Sequence, residues 1–334
     1  MKVIVDAMGG DNAPQAIVEG CVMALAENPS LEITLVGKED DISIELAKHN
    51  YDTRRINVVH ATEVIDMAEP PVDAIRNKRD SSLVRGMRLL REGEGQVFIT
   101  AGNTGATIAG ATLVVKRIPG VKRCALAPLL PSEKGKVLLI DAGANTECRP
   151  SYLAQFALMG SIYMQKMEGI ASPRVGLVNN GAESEKGTEL TKATYKLLES
   201  MPVNFAGNAE GRDLLSGDYD VIVCDGFTGN VILKFLEGVA GTLFSMLKKE
   251  LKSGFRTKLG AALAMPAFKA FKKNLDYTEY GGALLLGVGG GVMKAHGSSN
   301  AKAIKSTLRQ AAGFIDADVV NVIKTEISKI SLDD

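Results

Sequence analysis

Val97-Phe98-Ile99-Thr100-Ala101-Gly102-Asn103-Thr104-Gly105-Ala106 passes from an unbroken apolar run into a glycine turn and then into small residues. An apolar run without polar alternation is the pattern of a strand buried on both faces. Asn and Thr beside a glycine are turn and helix-capping residues, and the stretch from Thr104 to Val115 then reads as a helix. A buried strand ending in a polar turn that opens a helix is half of a parallel βαβ unit. The same design recurs at Leu139-Ile140-Asp141-Ala142-Gly143-Ala144-Asn145 and at Val223-Cys224-Asp225-Gly226-Phe227-Thr228-Gly229-Asn230, and a fourth such loop, Asp6-Ala7-Met8-Gly9-Gly10-Asp11, opens the chain. In a parallel sheet all these turns lie at the carboxyl ends of strands, where ligands bind.

Working outward, strands are expected at 2–6, 31–36, 57–60, 96–100, 137–141, 174–178, 203–206 and 220–224. Helices are expected at 14–26, 81–91, 104–115, 150–167, 189–200 and 228–248. Ala283 to Val288 and Gly291 to Lys294 read as two late strands joined by a glycine turn, before a last helix from Asn300. No Pro- or Ser-rich linker marks a boundary, so the 334 residues are expected to form a single α/β unit. If it has two lobes, they are expected to share one continuous sheet.

Lys plus Arg and Asp plus Glu each number 39 and Trp is absent, so composition argues against nucleic acid as a partner. Cys21, Cys124, Cys148 and Cys224 stand far apart without a Cys-x-x-Cys pair, which suggests reduced thiols and no structural metal. Met1-Lys2-Val3-Ile4-Val5-Asp6 is a strand pattern rather than a secretion signal. No uncharged apolar run approaches the length of about 18 residues that a bilayer crossing needs, so a cytoplasmic protein without a membrane span is expected.

Glycine lets a backbone approach a ligand closely, and helix N-termini present unpaired N–H groups at a positive dipole end, so these loops suit a phosphate. Any one of them is equally well an ordinary capped turn; four together favour the anion site. No Gly-x-x-x-x-Gly-Lys is present, and Gly287-Val288-Gly289-Gly290-Gly291-Val292 lacks the third fingerprint glycine, so no nucleotide cofactor is indicated. Gly-x-Ser-x-Gly and His-Glu-x-x-His are also missing, which disfavours acyl-serine and zinc chemistry and leaves direct attack by a bound anion.

Taken in order, Val5-Asp6-Ala7-Met8-Gly9-Gly10-Asp11-Asn12-Ala13-Pro14, Thr100-Ala101-Gly102-Asn103-Thr104-Gly105-Ala106, Asp141-Ala142-Gly143-Ala144-Asn145, Gly181-Ala182-Glu183-Ser184-Glu185-Lys186-Gly187, Gly207-Asn208-Ala209-Glu210-Gly211-Arg212-Asp213, Asp225-Gly226-Phe227-Thr228-Gly229-Asn230 and Ala295-His296-Gly297-Ser298-Ser299 closely resemble the PlsX family, the phosphate acyltransferases of bacterial phospholipid synthesis. The resemblance spans essentially the whole chain. It implies conversion of acyl-acyl carrier protein and inorganic phosphate into acyl phosphate and free carrier protein, without a metal or cofactor. It also implies a homodimer and a three-layer, doubly wound, mostly parallel fold like that of phosphotransacetylases and isocitrate or isopropylmalate dehydrogenases.

On that reading the N–H groups around Gly102 to Gly105 and around Gly226, Thr228, Gly229 and Asn230 hold phosphate, with Asn103, Thr104 and Asn230 adding side-chain donors and Asp141 and Asn145 lining the third loop. Lys186 supplies a cation to phosphate or to the oxyanion, or it merely pairs with Glu183, Glu185 and Glu189 at the surface. His296 protonates the departing thiolate or is a hydrogen-bonded turn histidine; Asp225 orients a donor or caps a helix. A phosphotransacetylase-type enzyme using acyl-coenzyme A would need the same cradle, and a non-enzymatic membrane scaffold would need none of it.

Residues 246–276 form a second feature. From Lys248 to Lys273 the basic residues Lys248, Lys249, Lys252, Arg256, Lys258, Lys269, Lys272 and Lys273 face one acid, Glu250. Leu247, Leu251, Phe255, Leu259 and Leu263 recur every fourth position, Phe268, Phe271 and Leu275 follow, and Pro266 interrupts them, so two short amphipathic helices in a protruding hairpin are expected. Phe255, Leu259, Leu263, Phe268 and Phe271 are the candidate contacts to an anionic membrane surface. The resemblance implies such peripheral association with the inner face of the membrane, near the membrane acyltransferase that consumes acyl phosphate. Docking of the acidic carrier protein and burial in a dimer are the other two uses of this segment.

Overall fold

The computed structural model describes residues 1–268 and 281–332. In chain order the strands are β1 (Lys2–Asp6), β2 (Glu32–Gly37), β3 (Ile56–His60), β4 (Val97–Thr100), β5 (Ala125–Ala127), β6 (Leu129–Ser132), β7 (Gly135–Ile140), β8 (Arg174–Val178), β9 (Asn204–Ala209), β10 (Val221–Val223), β11 (Ala283–Leu286) and β12 (Gly291–Lys294). The α-helices are α1 (Gln15–Glu27), α2 (Glu39–Leu46), α3 (Pro71–Asn77), α4 (Ser82–Glu92), α5 (Thr104–Gly110), α6 (Pro150–Glu168), α7 (Glu189–Leu198), α8 (Gly226–Leu251), α9 (Phe255–Leu263), α10 (Ala301–Asp316) and α11 (Val319–Ile327).

The expected α/β architecture is present, but it carries two sheets rather than one continuous sheet. One has seven strands in the order β3-β2-β1-β4-β12-β11-β5; the other has five, in the order β6-β7-β10-β8-β9. Within the first, β3, β2, β1, β4 and β12 are parallel, β11 runs antiparallel between β12 and β5, and β5 returns to the common direction; within the second only β6 runs antiparallel. The sheets part at Pro128, between β5 and β6, two strands too short to be read from the sequence. Proline has no N–H for a ladder, so pairing with β11 stops there and the chain continues beside β7.

Strand alternation builds three layers. Val3, Val5, Val97 and Ile99 point into one core with α1, α6 and α10, while Ile4 and Phe98 point into a second with α3, α4 and α5. Such two-sided burial explains why these strands read as continuous apolar runs. In the second sheet Leu138 and Ile140 face the large core, and Val137, Leu139 and Ile222 pack under Ile232, Leu233 and Leu236 of α8.

α8 differs from the expectation. The first arm of the hairpin is the end of a helix of 26 residues, about 39 Å at 1.5 Å per residue, whose only buried residues are Gly226 and Gly229. By length and by a mean hydropathy of 1.3 over its best 18-residue stretch, α8 meets the composition of a bilayer-crossing helix, which the sequence reading did not foresee. Its first turns are nonetheless packed on the second sheet, and Lys234 and Glu237 form an ion pair at 2.8 Å on its surface. Beyond Leu236 it projects as an arm, and after Ser253 and Gly254 the chain enters α9. Phe271 and the rest of the hairpin beyond Phe268 lie outside the described residues.

Candidate active site

The loops that follow β1, β4 and β12 are neighbours because those three strands are neighbours in the first sheet. They are locked together through backbone. Asp11 N–H donates to Gly297 O at 2.8 Å, and Asn12 Nδ2 donates to the carbonyls of Ser298 and Ser299, both at 3.2 Å. Gly10 has φ of 100°, and a Cβ there would stand 2.9 Å from Gly297 O; a Cβ on Gly9 would stand 2.7 Å from Gly102 N. Both positions therefore require glycine.

Asp6 organises this knot from below. It is buried, accepts from Thr100 Oγ1 at 2.7 Å and from Met8 N–H at 3.1 Å, and Thr100 Oγ1 in turn accepts from Gly102 N–H at 2.9 Å. Burial pushes its carboxyl upward from the ordinary range, opposed by those hydrogen bonds. Beside it, at the end of β12, stands Lys294, only 7 % exposed. Its Nζ donates to Ala101 O at 3.1 Å and to Ala295 O. Burial lowers its pKa to about 8, with Asp6 and Asp11 opposing the shift and Lys234 of α8 adding to it.

α5 opens on these loops. Asn103 is its N-cap: Oδ1 accepts from Ala106 N–H at 2.9 Å, and Nδ2 donates to the carbonyls of Asp66, Met67 and Glu69 at 3.2, 3.0 and 3.0 Å. The Asn103 side chain is thereby fully used in shaping the loop, a difference from the expectation that it donates to phosphate. Thr104 is exposed, and the N–H groups of Thr104 and Gly105 begin the helix, where no intrahelical acceptor exists.

In the second sheet β7, β10 and β8 are likewise adjacent and parallel, so the loops at 141–145, 224–229 and 179–187 share a rim. Asp141 is completely buried; its carboxylate accepts from the N–H groups of Leu126, Gly143, Ala144 and Asn145 and from Asn145 Nδ2, at 2.7 to 3.1 Å. Burial pushes its pKa up, yet five donors leave no acceptor for a carboxyl proton, so the geometry holds it as the anion. It shapes the loop from beneath instead of lining an anion site as expected. Asn145 also donates from Nδ2 to Cys124 O at 2.7 Å, which fastens this loop to the end of the first sheet.

Gly226 N–H donates to Asn145 O at 2.7 Å, and Asp225 caps α8 by accepting from Thr228 N–H at 2.9 Å and Thr228 Oγ1 at 2.7 Å. A carboxylate already occupies this helix end, whereas α5 is capped by a neutral amide. The positive end of α5 is thus the one left for an added anion. Asn230 is exposed on the next turn, its side chain against Gly143.

Lys186 stands in the loop after β8, exposed, with its backbone carbonyl accepting from Asn179 Nδ2 at 3.1 Å. No ion pair within 4.0 Å joins it to Glu183, Glu185 or Glu189 among the described residues. Asn208 of β9 holds the same loop by donating from Nδ2 to Glu183 O at 2.8 Å.

His296 lies across the cleft from α8, whose Lys234 and Glu237 both act on its charge. Its Nδ1 accepts from Ser298 N–H at 3.3 Å and pairs with Ser298 Oγ at 2.9 Å, which places a proton on Nε2 of the neutral ring. Partial burial lowers its pKa further from the ordinary value, so the neutral form prevails at pH 7. Among the described residues no group of three or more His, Cys, Asp or Glu is placed to hold a metal ion.

Lys294, Asp6 and Asn208 were not among the residues expected to build the site. A lysine closing the buried run Gly291-Val292-Met293-Lys294 was the visible signal for the first; the other two became recognisable only through their partners.

Residues 1–322 match the family described as "Fatty acid synthesis protein". A phosphate acyltransferase of Clostridium botulinum is 51% identical over 330 residues, covering 99% of this chain and 98% of that protein. One of Clostridium tetani is 51% identical over 330 residues, with 99% of each covered. Among solved structures, a phosphotransacetylase of Streptococcus pyogenes superposes with a TM-score of 0.63 at 17% identity, over 96% of this chain and 94% of that one. The EutD phosphotransacetylase of Staphylococcus aureus gives 0.59 at 15% identity over the same shares. These two establish likeness of fold.

Proposed function

Since the chain belongs to the PlsX family of phosphate acyltransferases, we propose that its cleft transfers an acyl group from the thioester of acyl carrier protein to inorganic phosphate, for phospholipid synthesis. The observation that carries this reading is the open N-terminus of α5, built on three interlocked loops above a buried lysine. A phosphate dianion held there presents an oxygen to the thioester carbonyl. Attack forms the C–O bond and a tetrahedral oxyanion; collapse breaks the C–S bond. The proton carried by HPO4²⁻ ends on the departing sulfur, so acyl phosphate and free thiol balance without an added acid or base. The protein's tasks are positioning and charge stabilisation.

Lys186, exposed and without a carboxylate partner among the described residues, is the cation that meets the oxyanion. His296, neutral and protonated on Nε2, is suited to donating a hydrogen bond to the departing sulfur while the proton itself comes from phosphate. Asp225, Asp141 and Asn103 hold the loops in place.

The projecting arm supports a place at the inner face of the membrane. Phe255 is 84% exposed, Leu263 79% and Leu259 57%, and Arg256, Lys258 and Lys252 lie among them. A basic, apolar arm of this kind binds anionic lipid, which would bring acyl phosphate to the membrane acyltransferase that consumes it. The exposed Phe227, Val231 and Phe235 on the part of α8 near the body are suited to a homodimer contact.

The test is direct. Purified protein is given phosphate with acyl-acyl carrier protein or with acyl-coenzyme A, and acyl phosphate is trapped with hydroxylamine while free thiol is counted. Equal amounts of hydroxamate and thiol, favouring the carrier protein, are expected. Lys186→Ala should lower kcat by about 10²-fold or more. Preference for coenzyme A would assign the site to a phosphotransacetylase-type reaction, and no hydroxamate from either donor would leave only the scaffold.

A further inference from the structure

We propose that Lys294 is the buried positive charge of the anion site, a positioning residue that ties the Ala101 and Ala295 loops together and holds bound phosphate as the dianion. This rests on the reading of the cleft as a phosphate site. Lys294 has no hydrophobic reason to be where it is: burying an ammonium is costly, and it persists only where other groups repay it. Two carbonyls take two of its three protons. Ala101 lies immediately before the Gly102–Gly105 turn that opens α5, and Ala295 before the loop whose Gly297 carbonyl binds Asp11 N–H. One amine therefore sets the spacing of two of the three interlocked loops.

The charges around it are known from every side. Asp6 ends β1, Asp11 lies in the loop beyond, Lys234 comes from α8 with its partner Glu237, and His296 is on Lys294's own loop. Asp6 is engaged by Thr100 and Met8, and Lys234 by Glu237. A phosphate dianion entering above Ala101 supplies the missing counter-charge, and by linkage it must raise the proton affinity of the amine. Lys186, on the opposite rim and exposed, is left for charge that develops later on the thioester oxygen.

The experiment is calorimetric titration of inorganic phosphate into the full chain at pH 8.5, in buffers of different ionisation enthalpy. At that pH free phosphate is already the dianion, while an amine of pKa about 8 is mostly neutral. Binding should draw in about 0.7 proton per phosphate; as pH falls the sign should reverse, to a release of about 0.8 proton by pH 6.5, where the amine is already charged and free phosphate, mostly the monoanion, must lose its proton to bind as the dianion. Lys294→Met should abolish the uptake and weaken phosphate about tenfold or more. The loss should appear in the KM for phosphate more than in that for acyl-acyl carrier protein, because the loops the lysine ties together are those assigned to the anion. Lys294→Arg keeps the charge at every pH and should bind phosphate without uptake. If neither variant folds, the wild-type uptake still decides, since it must be half-complete near pH 8. Phosphate binding with no proton uptake, or unchanged in Lys294→Met, overturns the role of Lys294 while leaving the phosphate site intact. No phosphate binding together with no turnover by the wild type would instead remove the reading beneath it.

Discussion

Replacing Gly229 with alanine should damage this enzyme more than its size suggests. The methyl group would be placed 1.9 Å from Asp141 O, 2.9 Å from Asp141 C and 3.0 Å from Cys224 Sγ. Two of these atoms are backbone, in a loop held by the five hydrogen bonds to the Asp141 carboxylate, so no flexible side chain can swing away. Restoring ordinary contact requires the start of α8 and the 141–145 loop to part by more than 1 Å. Overpacking of this kind costs about 1–3 kcal/mol, and a displacement near 1 Å at a reacting centre costs about 10²-fold in rate. Gly238→Ala is the matched control. It lies in the same helix with nothing within 4 Å, so alanine there should stabilise by about 0.5–1 kcal/mol and leave turnover alone. Urea unfolding followed by far-ultraviolet circular dichroism gives the stabilities, and hydroxylamine trapping gives the rates. A Gly229→Ala protein as stable and active as the wild type would refute the contact between the α8 N-terminus and the Asp141 loop.

Three further outcomes are expected. Asp141→Asn turns an amide donor toward N–H donors and should lose roughly 3 kcal/mol of stability in the same unfolding assay, since a buried charged acceptor is removed. Because the folded pKa of His296 lies below its unfolded value near 6.5, its contribution to stability is present above that value and is lost as pH falls through 6.5 toward the folded pKa. His296→Asn should therefore flatten the acid side of the stability-pH curve, and an unchanged acid limb would remove this assignment. Phe255→Glu combined with Leu263→Glu should abolish flotation with vesicles containing anionic phosphatidylglycerol while sparing turnover of soluble substrates; undiminished flotation would dismiss the arm as the lipid contact.

Much was legible in the linear chain because buried parallel strands and capped turns leave local signatures. Val97–Thr100 leading to Gly102 and Asn103, Leu139–Ile140 leading to Asp141, and Val223 leading to Asp225 each announce a strand, a corner and a helix start within a few residues. The family resemblance rests on those corners and on the loop carrying Lys186. The division into two sheets was not legible, since the pairing of β5 with β11 and of β6 with β7 joins residues far apart in sequence. Nor was the arm's full extent, because the apolar residues of α8 that pack on the sheet resemble those that project beyond it.

Residue types and short-range spacing decide which backbone a segment adopts, so the chain order alone was enough for the α/β class and for four glycine corners at the carboxyl ends of strands, which the structure divides between two sheets. Whether a polar atom in those corners is free or already engaged depends on partners hundreds of residues away, as with Lys294 on Ala101 and Asn12 on Ser299. Folding engaged the side chains of Asn103 and Asp141 with backbone partners and buried Lys294 on the Ala101 and Ala295 carbonyls, because a buried hydrogen-bonding group is defined by what surrounds it and not by its neighbours along the chain.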